Sequence, residues 1–170
     1  FNTFYNGWCY GNDVVSKGND LTPGNYLLMV ADAGGWPDAY SCSTPNGIER
    51  AVFELTFSDG SVFAALGTTQ LQVGRFYYLA GSWDGQTLRV YVNGVLDGEA
   101  VVPGKSLGTN AEPLQFGRYE NTQYPYIFRG LVDEVQLFNR ALADAEILSI
   151  YNAGSTRQCS LPPTPMLTPT

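Results

Sequence analysis

Residues 77–99, YYLAGSWDGQTLRVYVNGVLDGE, constrain this chain more than any other stretch. Leu88, Val90 and Val92 alternate there with Arg89, Tyr91 and Asn93. A period of two suits a strand with one face buried and the other in water. Asp84-Gly85 and Asn93-Gly94 bound that strand. Both dipeptides accept positive φ cheaply and favour two-residue turns whose twist matches that of the strands. The segment reads as an antiparallel meander, and it points to a sheet-built binding domain rather than to catalysis.

The rest of the chain repeats this grammar. Candidate strands cover residues 25–31, 51–57, 62–65, 76–83, 88–92, 114–116 and 131–138, with Gly, Pro, Asn and Asp clustered between them. Ser58-Asp59-Gly60-Ser61 has the composition of a hairpin turn. Many short strands at this spacing predict an all-β, two-sheet antiparallel sandwich. One helix is expected from Asp144 to Tyr151 or Asn152. Ala145, Leu148 and Tyr151 share one face and Ile147 and Ile150 its neighbour. Asp144 and Glu146 suit the positive end of the helix dipole, and Gly154 is placed to stop it. The tail after Cys159, SLPPTPMLTPT, is Pro/Thr-rich and reads as a semi-rigid extended linker suited to O-glycosylation, or as a disordered end. The expected division is a domain at 1–158 and a linker or tail at 159–170.

Composition removes several classes of function. With 170 residues, 44% of them hydrophobic, the chain can bury a sizeable core without metals or many crosslinks. A net charge of −7 sets it against phosphate backbones, so no nucleic-acid partner is expected. The chain has no histidine, which removes a Ser-His-Asp or Cys-His triad and the commonest transition-metal ligand. No apolar run approaches the ~20 residues that span a bilayer, and no basic segment precedes an apolar one as in a signal peptide. Cys9, Cys42 and Cys159 form no CxxC pair, so zinc is not expected. An odd count permits one disulfide and a free thiol, with Cys9–Cys42 the favoured pair because both flank the N-terminal region; three unpaired thiols remain the alternative.

Several pieces, read in order, resemble one family: VVSKGN from Val14, NYLLMV from Asn25, GRFYYLAGSWDGQTLRVYVNGVLDG from Gly74, LQFGR from Leu114, and GLVDEVQLFNRALADAEILSIYNAG from Gly130. Together they are similar to the laminin-G-like modules of the concanavalin A-like lectin/glucanase superfamily. The last segment, a G-L-V-D-E-V strand followed by N-R-A-L and a short E-I helix, is the most specific. The resemblance implies a jelly-roll sandwich in an extracellular or cell-surface protein that binds carbohydrate or a surface protein, or acts as a spacer, and often holds structural calcium. Three departures stand out. Ala143 occupies the position where the family has a helix-capping serine, a loss of about 1 kcal/mol. Residues 34–46, GGWPDAYSCSTPN, form an insertion. A strand expected before the one containing Trp8 is missing, so the true N-terminus lies upstream, the tail fills the gap, or a neighbouring subunit donates a strand to the open sheet edge.

The glucanases of the superfamily need same-face carboxylates around one glycosidic bond. Here the nearest pairs, Glu49 with Glu54 and Asp133 with Glu134, have odd spacing and so face opposite ways in a strand. Hard oxygen donors suit calcium rather than zinc, and the resemblance makes Asp133, with Asp20 and Asp32, the candidate ligands of a structural ion, while Asp38 is a further loop acid. Asp133 as a plain hydrogen-bonding carboxylate is the alternative. Glu134 is expected to pair with Arg118 or Arg140. For sugar, the loop residues Trp36, Asp38, Tyr40, Tyr119, Asn121, Gln123, Tyr124 and Tyr126 supply flat stacking surfaces and polar edges on proline-stiffened loops. Ordinary loop packing or a subunit interface would use the same residues. Trp8 and Trp83 are assigned to the core. The expected function is a non-catalytic recognition module for carbohydrate binding or adhesion. A structural subunit built by strand complementation is the second expectation, and a glycoside hydrolase fragment the weakest.

Overall fold

A computed structural model of the protein describes residues 12–18, 22–32, 48–118 and 127–156. Within them the order is β1 (Asp13–Lys17), β2 (Tyr26–Asp32), β3 (Glu49–Thr56), β4 (Val62–Leu66), β5 (Leu79–Trp83), β6 (Thr87–Val92), β7 (Val95–Val101), β8 (Leu114–Phe116) and α1 (Asp144–Thr156). These strands make two antiparallel sheets, one in the order β4-β3-β2-β1-β8 and the other β5-β6-β7. The expected sandwich is therefore present, with β4 packed on β7, β3 on β6 and β2 on β5.

The β5-β6-β7 meander follows from its alternation. Leu88, Val90 and Val92 join Val30, Ala51, Phe53 and Leu55 in the core between the sheets. Asn93 and Gly94 both take positive φ, 53° and 79°, and turn β6 into β7 as expected. The β5–β6 turn is shifted by one residue. The Asp84 N–H donates to the Thr87 carbonyl, which leaves Gly85 (φ 100°) and Gln86 as the central pair. Asp84 Oδ1 accepts the N–H groups of Gln86 and Thr87 and braces the corner. The outer face of β6 is also drier than alternation predicts. Tyr91 is 1% exposed, and its hydroxyl donates to Asp144 Oδ1 of α1 at 2.8 Å. The 58–61 turn is as expected: Gly60 takes φ 79° and Asp59 Oδ1 accepts the Ser61 N–H and hydroxyl.

Three readings need correction. Residues 131–138 are not a strand: they pair with nothing in either sheet and are exposed throughout. Glu134 adopts φ 50°, a left-handed conformation that breaks an extended run. The helix continues through Gly154 to Thr156 rather than stopping before it. The serine cap is absent at Ala143, as expected, but Glu146 reaches back to accept the Ala143 N–H at 2.8 Å and supplies the carboxylate half of a capping box. β1 and β7 are strands that alternation did not single out. β7 reads VLDGEAV, where Asp97, Gly98 and Glu99 dilute the apolar signal.

Layer spacing is set by two glycines. The ring of Phe53 lies against Gly81 of β5, and the Leu66 carbonyl lies against Gly98 of β7, so a Cβ at either glycine would collide. Overpacking of a core contact typically costs about 1–3 kcal/mol. Gly81→Val is therefore expected to lower the unfolding free energy by at least about 2 kcal/mol, read as a lower denaturant midpoint at unchanged slope. An unchanged midpoint would show that Phe53 has room to move.

Candidate functional site: the cleft beside β5

The layers do not match in width. β1 and β8 extend past the edge of the smaller sheet, because β5 ends that sheet above β2. The overhang is two strands, about 10 Å at ~4.8 Å per strand. Beneath it lies a cleft of ≈ 330 Å³. Val14, Val15, Tyr26 and Leu28 form its floor, β5 and the residues entering it one wall, and residues 131–138 the other. Most of the lining is aliphatic or aromatic, so the cleft suits apolar side chains rather than a hydrated polysaccharide.

One wall also carries main chain that no described strand pairs. The Tyr78 carbonyl accepts the Asn93 N–H at 2.8 Å, and the Asp84 N–H donates to Thr87. Hydrogen-bonded pairs with β6 therefore fall on even-numbered residues of β5. In an antiparallel ladder the intervening residues turn their N–H and C=O groups the other way. Leu79, Gly81 and Trp83 thus aim their main-chain groups at an edge that no described strand covers.

Burial or ion pairing sets the state of several polar groups around the cleft. Burial pushes the Tyr26 and Tyr78 hydroxyls above their ordinary range, so both stay neutral at pH 7. Burial likewise raises Tyr91, with the Asp144 contact adding to it. Arg140, at the rim, forks onto Glu146 with contacts of 2.8 and 2.7 Å. This corrects the expected Glu134 partner: the guanidinium instead secures the first turn of α1. The Arg140 hydrogen bonds, with the Ala143 N–H, hold the Glu146 carboxyl down at about 2.

The sequence-nominated residues distribute unevenly. Trp36, Asp38, Tyr40, Tyr119, Asn121, Gln123, Tyr124 and Tyr126 lie outside the described residues, as do Asp20, Cys9, Cys42 and the Asp32 side chain. Asp133 is exposed on the cleft wall, and its Oδ1 accepts the adjacent Glu134 N–H at 2.8 Å. Among the described residues no three His, Cys, Asp or Glu side chains converge as a metal site would require. Trp83 packs against the core, as expected.

The carboxylates of the larger sheet fall on two faces. Glu49 shares the inner face of β3 with Ala51, Phe53 and Leu55, whereas Glu54 pairs with Leu27 on the outer face. The two therefore point apart, as their spacing predicts. Alternation did not reveal a second pair: Asp13, opposite Met29, shares the outer face with Glu54. Both are buried, at 1% and 3% exposed, and both already hold interactions within the fold.

The family comparison agrees with this architecture. The family model described as the concanavalin A-like lectin/glucanases superfamily, of laminin-G type, matches residues 11–148. Among solved structures, an S-layer domain-containing protein (residues 221–444) from Clostridium thermocellum ATCC 27405 is similar at 19% identity, over 89% of this chain and 70% of that one, with a TM-score of 0.35. No curated protein matches the chain.

The α1 anchor makes a pH prediction. Glu146 is depressed from 4.5 in the folded state, so its contribution is complete above pH ~4.5 and is lost as pH falls towards 2. Glu146→Gln should lower the melting temperature at pH 6, and the gap from wild type should close by pH 2. A gap that is the same at both pH values would mean that the carboxylate charge does not act here.

Proposed function

This chain belongs to the concanavalin A-like lectin/glucanase superfamily, and we propose that it is a non-catalytic recognition or adhesion module at a cell surface or in the extracellular space. The observation that carries this reading is the family match over residues 11–148 on a chain whose acids are unsuited to glycoside cleavage. Glu49 and Glu54 face opposite sides of one strand. Asp13 and Glu54 share a face but are closed to solvent. Asp133 and Glu134 are neighbours on a kinked segment. The Pro/Thr-rich stretch at 159–170 suits a spacer between modules outside the cell.

Carbohydrate is the proposed ligand class. Trp36, Tyr40, Tyr119, Tyr124 and Tyr126 offer faces for stacking on pyranose rings, and Asp38, Asn121 and Gln123 offer hydroxyl partners. The apolar cleft is not the proposed sugar site, because sugar hydroxyls would lose water there without recovering hydrogen bonds. The purified chain should bind a subset of polysaccharides on a glycan array. Trp36→Ala should weaken that binding at least about tenfold, as loss of an aromatic anchor does. Binding to no glycan, with no effect of Trp36→Ala on any retained ligand, would discard the carbohydrate reading.

The edge of β5, which no described strand covers, favours a second reading, a subunit that assembles by strand complementation. Size-exclusion chromatography with light scattering across a concentration series tests it. Growth of the particle with concentration supports assembly, and a single monomeric mass throughout removes it.

A further inference from the structure

An asparagine or aspartate followed by glycine is open to attack by its own main chain. The glycine nitrogen reaches the side-chain carbonyl carbon because no Cβ stands in its way. The described residues hold Asp59-Gly60, Asp84-Gly85, Asn93-Gly94 and Asp97-Gly98. The three aspartates resist this attack at neutral pH, because an ionised carboxylate is a poor electrophile. The Arg89 guanidinium, with the Thr87 and Gln86 N–H groups, holds Asp84 down at about 2. The Lys105 ammonium and Ser61 hold Asp59 well below the usual carboxylate range. The Asp97 carboxylate accepts the N–H groups of Thr68 and Thr69. The Asn93 amide carries no charge and keeps its electrophilic carbon. We propose that Asn93 is a latent deamidation site, held shut by α1 and converted to aspartate and isoaspartate when the helix lifts from the β6–β7 turn.

The step needs only water. The Gly94 nitrogen bonds to Asn93 Cγ, and its proton passes through solvent to the side-chain amide nitrogen, which leaves as ammonia. The product is a five-membered succinimide. Water then adds to one of the two ring carbonyls. Addition at Cγ breaks the new bond and leaves aspartate. Addition at the main-chain carbonyl breaks the original peptide bond, and the chain then runs through the side chain as isoaspartate.

The lock is steric. Ring closure requires the peptide plane between Asn93 and Gly94 to swing towards the Asn93 side chain. Gly94 is buried beneath α1. A Cβ built on it would lie 3.0 Å from both Leu148 Cδ1 and Tyr151 Cβ, so the plane has no room to turn. Tyr78 restrains the other reactant. Its N–H donates to Asn93 Oδ1 at 3.1 Å, and its carbonyl accepts the Asn93 N–H at 2.8 Å.

The same helix carries the fastenings of the lock. The Tyr151 ring lies 5.9 Å from that of Tyr78, the Tyr91 hydroxyl donates to Asp144 Oδ1 at 2.8 Å, and Ile147 is 2% exposed. Lifting α1 releases these contacts together, as a local opening does. Isoaspartate adds a main-chain carbon to a two-residue turn, so Val92 and Val95 lose their register. The original amide does not return, so each molecule keeps a record of the time its helix has spent off the turn. This holds whether the module binds a glycan or a protein.

Peptide mapping by mass spectrometry on the full chain, incubated at about pH 8 and 37 °C, tests the site. Conversion of Asn93 should be at least about tenfold slower in the native chain than in the same chain in guanidinium chloride. Tyr151→Ala, which removes one wall of the lock, should raise the native rate at least about tenfold. Tyr91→Phe, which keeps the packing and drops the hydrogen bond to Asp144, should raise it about threefold. Equal rates in native and unfolded chains overturn the proposal. So does a native rate that neither variant changes, or an Asn93 that stays intact in the unfolded chain. Should Tyr151→Ala fail to fold, Tyr91→Phe and the wild type decide the matter.

Discussion

The packing of β3 on β6 is the constraint on which the rest of this sandwich depends. Ala51, Phe53 and Leu55 meet Leu88, Val90 and Val92, and Phe53 reaches on to Gly81 in the next strand. Once β3 lies over β6, β4 falls over β7 and β2 over β5. The larger sheet then has two strands left over. Among the described residues, the overhang, the cleft beneath it and the uncovered edge of β5 are consequences of that alignment, not separate features. A larger residue at Gly81 would push the layers apart at the point where they are joined.

Polar clamps hold the sandwich at its ends, where hydrophobic area runs short. Asp97 of β7 accepts the N–H groups and hydroxyls of Thr68 and Thr69, tying the chain leaving β4 to the opposite sheet. At the other end α1 lies across the meander. Tyr91 holds its first residue through Asp144, and Glu146 closes its first turn with Arg140 and Ala143. These groups are largely exposed, so each adds little alone. Their effect is geometric: they decide where α1 sits, and hence where the end of segment 131–138 is held.

Sequence reading succeeded where one local rule governed a segment. β2, β3, β4, β6 and β8 were legible from alternation, and the Asn93-Gly94 turn from its chemistry. It failed where tertiary context intervened. Tyr91 reads as wet until a helix covers it. Gly154 reads as a stop signal, yet α1 runs through it. β7 was hidden by Asp97 and Gly98, whose jobs are a clamp and a close approach rather than side-chain burial. At the candidate site, the odd spacing of Glu49 and Glu54 was readable because a strand has a strict period of two. The cleft was not, because it arises from the count of strands in two layers. No window of sequence contains that number.

The same arithmetic bears on where a ligand can bind. A concanavalin A-like sandwich can present a sheet face, a rim of loops or an interior. Here the outer face of the larger sheet is buried at Leu27, Met29 and Val52, and its acids Asp13 and Glu54 are enclosed with them. The interior cleft is apolar and bordered by main chain, a match for a strand and a poor one for a sugar. Polar recognition is for that reason proposed for loop residues, since connecting segments generally carry recognition on a rigid scaffold. The proposed division gives hydrophobic complementarity to the edge of β5 and hydrophilic recognition to the loops. On the proposed reading, a strand at the edge of β5 and a glycan at the loop residues would not compete for one surface.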